Sequence, residues 1–394
     1  MNKVIVDESK VSGKKVLLRC DFNVPYDESG EISDTRRIDE SLKTINFLVK
    51  NGAKVIICSH FRRPHGIVNP SMSLIKAAKY LSSKIGQEVK LAKDVIGESA
   101  KSIISNLSNG EVCMLENLRF EMGEENNDIE FAKQLASLAD VYVNDAFGVC
   151  HREHASLVSV PKLLPSYCGF LIKKEVETIS GVLDNPKRPF VSILGGAKVS
   201  DKIGVIENLV DKVDAFIIGG GMTYTFMNAL GYGIGDSICE KSKLGLAKDI
   251  LALTKEKGVK LLLPVDSKVG REYKYDTESM IVDSDKIPEG WQGLDIGPRS
   301  IKIFSDELAN AGSVVWNGPL GVSEWENFAD GTFSIARVLS ESNAKTIVGG
   351  GDVAAAVNKA GVASKMYHIS TGGGASLMFL EGKELPAIAA LPNK

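Results

Sequence analysis

Several features that would place a chain in a large functional class are missing from this one. No apolar run approaches the roughly 20 residues that a membrane-spanning helix needs, and the N-terminus "MNKVIVDESK" has no apolar core of the signal-peptide kind. Both absences predict a cytoplasmic protein. The formal net charge of -3 excludes the basic balance of a dedicated nucleic-acid binder, so any anion site must be a local patch. The six cysteines, Cys20, Cys58, Cys113, Cys150, Cys168 and Cys239, form no C-x-x-C pair, and several lie inside apolar runs. That pattern favours reduced core thiols over zinc or disulfides. No G-x-x-x-x-G-K-[ST] loop occurs and no segment is of low complexity. Histidine is scarce in one direction, since four of the five precede residue 160 and only His368 follows.

What is present falls into two parts. At 394 residues the chain exceeds what one core usually supports, which predicts two domains. In the first part, short apolar runs end abruptly in polar residues: "KKVLLRCDFN", "AKVIICSHFRRP", "EVCMLENLRF" and "DVYVNDAFG". Helix-compatible stretches such as "SLKTINFLVKNG" and "FAKQLASLAD" separate them, and continuous apolar strands alternating with helices imply a parallel sheet covered on both faces. Ligands bind at the carboxyl ends of such strands, where this sequence places Arg19, Asp21, Asn23, His60, Arg63, Arg119, Asn144 and Asp145. The second part repeats strand, glycines, helix in "SILGGAKVSDKI", "AFIIGGGMTYTFMNAL", "TIVGGGDVAAAVNKA" and "HISTGGGASLMFL". Glycines at a helix start let backbone N–H groups approach an anion, and four such turns suggest a phosphate-rich ligand. Between the parts, "VPKLLPSYCGFLIKKEVETISGVLDNPKRPF" carries two proline-marked breaks around a helical run from about Tyr167 to Leu183. The predicted domains are 1–166 and 185–379, joined by an interdomain helix over 167–184.

The first part holds Arg19, Arg36, Arg37, His60, Arg62, Arg63, Arg119, His151, Arg152 and His154. Arginine's planar fork suits carboxylate or phosphate, so the set predicts a pocket for a small, strongly anionic molecule. Any one of these arginines, Arg36 for example, has the alternative of pairing with a nearby carboxylate at the surface. His151 and His154 in "HREHAS" lack a ligand partner at metal spacing, which favours an anion-contact or structural role. In the second part, "GGGDVA" fits the G-x-G-x-x-A dinucleotide spacing, but no acidic ribose ligand follows in "HISTGGG", which removes the main support for a nicotinamide-dependent dehydrogenase. If Ser200 caps the helix after "GGAKVS", Lys202 falls in its first turn, where a bound anion would offset the dipole penalty. Asp352 reads either as an N-cap or as a ligand for Mg²⁺ arriving with phosphates. An arginine site and a glycine-lysine site together suggest phosphoryl transfer between two substrates.

In combination these motifs resemble the phosphoglycerate kinase family, from "VLLRCDFNVP" through "SHFRRP", "LENLRF", "VNDAFGVCHREHAS", "LGGAKVSDKI", "GLDIGP", "WNGPLGVSEW", "GGGDVAAAV" and "STGGGASL" to "LPAIAAL", in order along nearly the whole chain. The resemblance implies two Rossmann-like α/β domains with parallel sheets, residues 380–394 packing back on the first, and a monomer. It implies reversible in-line phosphoryl transfer, after domain closure, between MgATP and the carboxylate of 3-phospho-D-glycerate, giving 1,3-bisphosphoglycerate and ADP. Asp21, Asn23, Arg37, His60, Arg63, Arg119 and Arg152 are then the phosphoglycerate contacts. The "D-x-x-R-I" pattern of Asp34, Arg37 and Ile38 assigns the catalytic arginine to Arg37 and not Arg36. Lys198, Gly351 and Gly373 join it in catalysis. Lys198, Lys202, Gly293, Asn317, Glu324, Gly350, Gly351, Asp352 and Val353 are the nucleotide contacts, with Asp352 toward Mg²⁺. Arg62, Val353, Ser323 and Met378 stand where the family usually has glycine, a hydroxyl residue, an aromatic and glutamate. The alternative function is a sensor that binds nucleotide and phosphosugar but is catalytically impaired.

Overall fold

A computed structural model describes residues 2–394 and divides the chain into two compact units. One comprises the residues up to Glu177 together with Glu384–Lys394, the other Thr178–Lys383, so the division falls inside the helix Phe170–Asp184.

The first unit is built on β1 (Lys15–Arg19), β2 (Lys54–Cys58), β3 (Val89–Leu91), β4 (Val112–Met114), β5 (Val141–Asn144) and β6 (Ser166–Cys168). They form one wholly parallel sheet in the order β3-β4-β2-β1-β5-β6. Val16, Leu17 and Leu18 of β1 and Val55, Ile56 and Ile57 of β2 are all fully buried. Since successive side chains point to opposite faces, such strands need cover on both sides. The helix Arg36–Lys50 supplies part of it, burying Ile38, Ile45 and Leu48 along one stripe. Asp34 fixes where that helix starts by accepting the Arg36 N–H at 2.9 Å. The C-terminal tail belongs to this unit: Val4 N–H donates to Pro392 O at 3.2 Å, and Ala387 N–H to Cys150 O at 3.1 Å.

The connecting helix begins at Phe170, not near Tyr167. Residues 166–168 are drawn instead into β6, where Tyr167 pairs with Val143. The helix start is held by Asp145, whose Oδ1 accepts the N–H groups of Leu171 at 2.8 Å and Ile172 at 3.3 Å. A cap supplied from a strand 26 residues upstream leaves no local signal.

The second unit contains β7 (Phe190–Leu194), β8 (Ala215–Ile218), β9 (Gly233–Ile234), β10 (Lys260–Leu262), β11 (Asp266–Gly270), β12 (Ser279–Asp283), β13 (Lys286–Ile287), β14 (Gln292–Ile296), β15 (Ser313–Asn317), β16 (Lys345–Gly349) and β17 (His368–Ile369). Its main sheet is also parallel, in the order β10-β8-β7-β15-β16-β17. A three-stranded antiparallel sheet, β12-β11-β14, and the pair β13-β9 are additions that the strand-glycine-helix pattern does not announce. Val191, Ile193, Ile217 and Trp316 of the sheet pack with Phe304, Ile335, Val353 and Val357. Each such side chain contributes about 1.5–3 kcal/mol on burial.

In both main sheets the strand order reverses about a central strand. The chain leaves β1 toward β2 on one side and β5 on the other, and leaves β7 toward β8 and β15. Crevices at such switch points, past the carboxyl ends of the strands, are where open α/β sheets bind ligands. Register decides what meets there. Arg19 pairs with both Cys58 and Asn144, while Leu194 pairs with Asn317 and Asn317 with Gly349.

Candidate active site

Because β1, β2 and β5 end level, the residues just beyond them gather at one edge of the first sheet. Asp21 lies at the centre. Its Oδ2 is 3.2 Å from Arg37 Nη1, an ion pair without hydrogen-bond alignment, and its Oδ1 accepts from the same nitrogen at 3.3 Å. Arg37 also donates to the Asn23 carbonyl at 2.8 Å. Asn23 Oδ1 accepts the Arg62 N–H at 2.9 Å, and the Arg62 carbonyl accepts from Arg119 Nη1 at 2.6 Å. The backbone of Arg62 thus ties Asn23 to Arg119. Its φ of 54° is left-handed, which accounts for glycine being the usual residue there in the family it resembles. The Arg62 guanidinium is exposed and lies 5.2 Å from the Phe61 ring centre and 5.6 Å from that of Tyr26.

Arg36 pairs with Asp34 at 2.7 Å, whereas its neighbour Arg37 turns to Asp21. His60 is buried beneath this group, with Nδ1 3.4 Å from Arg19 Nη2 and 3.9 Å from Asp21 Oδ1. Burial, and then the charges of Arg19, Arg119, Arg37 and His154, push its pKa well below the usual histidine value. Burial similarly lowers His151 to about 4, helped by Arg152, and His154 to about 3, helped by Arg119 and Arg19. Desolvation also lowers Arg119, which is 5% exposed and 3.3 Å from Glu125. Neutral imidazoles among partly desolvated guanidiniums make a basic pocket whose charge an anion would compensate. Arg152 is exposed but close enough to act electrostatically on Arg119, His151 and His154. Arg63 is exposed and no contact ties it to the group.

In the second unit the same level ending of strands brings the glycine loops together. A Cβ on Gly195 would strike the Gly318 and Pro319 carbonyls, and one on Gly220 (φ 66°) would come within 2.7 Å of Gly196 N. The N–H groups of Gly195 and Gly196 donate to Asn317 O at 2.9 Å and Pro319 O at 3.2 Å. Those two glycines therefore serve close loop packing, and their amides are already used. The later glycines differ. Gly350 (φ 105°) is the N-cap of the helix Gly351–Lys359, and the N–H groups of Gly351, Asp352 and Val353 have no partner among the described residues. Gly373, first residue of the helix Gly373–Leu380, lies against Gly350 and Gly351. Two positive helix ends thus converge.

Ser200 does not cap a helix. It is drawn to Glu240, donating its hydroxyl to Oε1 at 2.7 Å and its N–H to Oε2 at 3.0 Å, and the helix Ile203–Leu209 starts later with Lys202 at its N-cap. Lys202 is 9% exposed, and its ammonium donates to Asn317 Oδ1, whose amide nitrogen donates to Gly349 O at 3.0 Å. Desolvation lowers the Lys202 pKa against the opposing pull of Asp201, Glu381 and Asp352. Lys198 is exposed, and its charge is felt at Glu240. Asp352 is not an N-cap but an exposed first-turn residue. Val353 points into the core at 0% exposure, so only its backbone N–H is available to a ligand.

A cavity of about 490 Å³ opens beside these loops, with Gly293, Glu324 and Asp352 on its wall. Gly293 is there because a side chain would overlap the Tyr224 ring. The sequence motifs miss Ile238 and Tyr273, which also line it, and they contain Tyr224 and Asp295 without singling them out. Tyr273 packs against Trp325 with the rings tilted and their centres 4.5 Å apart, in a loop that carries no repeat pattern. Burial raises the Asp295 pKa to about 7, and its Oδ2 accepts the Gly331 N–H at 2.9 Å.

The phosphoglycerate kinase family model matches residues 6–383. A phosphoglycerate kinase of Clostridium kluyveri is 51% identical over 396 aligned positions, covering 100% of this chain and 99% of that one. One of Clostridium perfringens is 52% identical with the same coverage. Among solved structures, phosphoglycerate kinase from Coxiella burnetii superposes with a TM-score of 0.83 at 40% identity, covering 96% of each chain. The enzyme from Pyrococcus horikoshii does so with 0.83 at 33%, covering 98% of each. With a match of this length in sequence and fold, the chain belongs to the phosphoglycerate kinase family.

Proposed function

We propose that this family member catalyses reversible phosphoryl transfer between MgATP and the carboxylate of 3-phospho-D-glycerate, giving ADP and 1,3-bisphosphoglycerate. The observation that carries the reading is one chain of this family holding an arginine-histidine anion site at the switch point of one parallel sheet and a glycine-walled cavity at that of another. The first unit takes phosphoglycerate through Asp21, Asn23, Arg37, His60, Arg63, Arg119 and Arg152. The second takes nucleotide through Lys198, Lys202, Gly293, Asn317, Glu324, Gly350, Gly351, Asp352 and Val353.

The acceptor carboxylate is already an anionic nucleophile at neutral pH, so no general base is needed. Its oxygen attacks the γ-phosphorus in line while the bond to the β,γ-bridging oxygen breaks and ADP leaves with that electron pair. What the protein supplies is alignment, exclusion of water by closure of the two units on their ligands, and charge placed where it develops. Arg37 and Lys198 act on the moving phosphoryl, with the free amides at Gly351 and the helix start at Gly373 beside them. Lys202 holds the nucleotide phosphates. Among the described residues its buried ammonium has only an amide oxygen for a hydrogen-bond partner, and a phosphate would compensate that desolvated charge.

Asp352 fits a Mg²⁺ role of limited kind. It is one exposed carboxylate on the cavity wall, and no group of three His, Cys, Asp or Glu side chains suited to a metal exists among the described residues. A single carboxylate suits an ion carried mainly by nucleotide phosphates, which when bound neutralises their charge. Among the described residues no helix is long and apolar enough to cross a membrane. The reading is of a cytoplasmic, monomeric enzyme.

The test is turnover by purified protein with ATP, Mg²⁺ and 3-phosphoglycerate, reading ADP and acyl phosphate. Absence of turnover above background, with nucleotide binding intact, would overturn the kinase reading in favour of the impaired sensor.

A further inference from the structure

Beneath the basic pocket of the first unit lies a layer of charge that the reaction as written does not use. Arg19 and Glu124 are both 0% exposed, with Arg19 Nη2 3.8 Å from Glu124 Oε1. Ser156 joins them: its hydroxyl accepts from Arg19 Nε at 2.9 Å and donates to Glu124 Oε1 at 2.6 Å, and its N–H donates to Glu124 Oε2 at 2.9 Å. Tyr142 steadies the Ser156 backbone by donating to its carbonyl at 2.7 Å, and Arg19 Nη1 donates to the Cys20 carbonyl. Two of the three guanidinium nitrogens, Nε and Nη1, are thus held by hydrogen bonds. The third, Nη2, lies between Glu124 Oε1 at 3.8 Å and His60 Nδ1 at 3.4 Å.

We propose that Arg19, positioned by Glu124 and Ser156, holds His60 in the neutral tautomer that carries its proton on Nε2, so that His60 meets an anionic ligand as a hydrogen-bond donor. A guanidinium has donors and no acceptor, so a nitrogen facing it at this distance must offer its lone pair. Among the described residues Asp21 is the one carboxylate within 4 Å of the same nitrogen, but at 3.9 Å it is beyond hydrogen-bond reach and is already engaged by Arg37 and the Asn23 N–H. Among the described residues Nε2 has no protein partner, which leaves its N–H for a ligand. The charged groups acting on the ring, Arg19, Arg119, Arg37 and His154, all disfavour a second proton. Without the lock, a neutral imidazole could present Nε2 as a lone pair and repel an anion instead of binding it. Arg19 and Glu124 are accordingly positioning residues: they act through His60 and are themselves buried.

The tautomer is a property of the ligand-free protein. Its consequence for binding rests on the proposed kinase reading. Long-range ¹H–¹⁵N spectra of ¹⁵N-histidine-labelled protein without ligand should show His60 as one neutral species with its proton on Nε2. In Arg19→Lys the buried cation stays available to Glu124 but loses the fork that reaches His60, so the spectrum should show both tautomers. The KM for 3-phosphoglycerate should then rise about five- to tenfold, the size of one lost hydrogen bond, with kcat and the KM for ATP little changed. Should that variant fail to fold, Arg19→Met/Glu124→Gln, which leaves neither charge buried alone, replaces it. A wild-type proton on Nδ1, or an unchanged Nε2 tautomer in the variant, overturns the proposal. A shifted tautomer with unchanged KM overturns the donor role alone. Loss of the kinase reading itself would show as wild-type inactivity with the Nε2 tautomer intact.

Discussion

The two candidate sites would offer an anion different materials. In the first unit the work falls to side chains, Arg37, His60 and Arg119, supported by the buried pair of Arg19 and Glu124. In the second it falls largely to backbone, with helix starts at Gly351 and Gly373 and loops so close that Gly195, Gly220 and Gly293 admit no Cβ. A side-chain site concentrates like charges and needs scaffolding to tolerate them. A backbone site adds little charge, but it is lost by adding a methyl group in the wrong place.

The contrast can be broken first at the reacting groups. Arg37→Ala and Lys198→Ala should each lower kcat by about 10²–10³, with smaller changes in KM, because each charge is assigned to the transition state. Steady-state kinetics that showed only KM effects for both would refute that assignment. Next comes the methyl test. Gly293→Ala should cost about 1–3 kcal/mol through overlap with Tyr224 and weaken nucleotide binding with it. Gly351→Ala, where a Cβ meets nothing within 4 Å and the N–H is kept, should melt like the wild type. Equal melting temperatures for the two variants would contradict the close-packed account.

Acid should separate the units more gently. His151 and His154 titrate near 4 and 3 when folded, against about 6.5 when unfolded, so the unfolded first unit binds more protons in that window and its stability falls as pH drops from 6.5 toward 3. Asp145 and Asp295, both raised to about 7 by burial, work in the opposite sense between about 7 and 4, where the folded state holds the proton. One lies in each unit, so they offset one another in the comparison. Hydrogen exchange at pH 7 and pH 5 should show β1, β2 and β5 losing protection relative to β7, β15 and β16, and equal loss would count against the histidine asymmetry. The smallest effect is expected at Arg62. Arg62→Gly relieves a left-handed residue, worth about 1–2 kcal/mol, and gives up exposed cation–π contacts worth about 0.5–1 kcal/mol. A slight rise in melting temperature should result, checked by calorimetry.

Much of the fold was legible because strands buried on both faces are apolar along most of their length. β1, β2, β4 and β5, and then β7, β8 and β16, all stand out in this way. β3 and β6 are short edge strands, and the antiparallel β12-β11-β14 has no glycine turn to announce it. Within each site, motif residues come together because strands of similar length end level, Asp21 with Arg37 in the first unit and Lys202 with Asn317 in the second, which their order in sequence already suggests. Tyr273 carries no such mark, and Tyr224, although inside a strand-glycine-helix motif, has no feature of its own that points to a ligand. They reach the cavity through packing of loops and of a helix that no periodicity ties to a ligand.

By itself the sequence determined the alternation of strand and helix, the placement of charged or glycine residues at strand ends, and the two-part division of labour, because each depends on local periodicity and local backbone chemistry. Only the tertiary structure decided which neighbour each group meets. Arg36 turns to Asp34 while Arg37 turns to Asp21, Ser200 is taken by Glu240 and so cannot cap, and Asp145 caps a helix 26 residues away. The same holds for Lys202, whose ammonium is buried against an asparagine 115 residues on. Such partners are set by register and packing between distant segments, and these act only once the chain has folded.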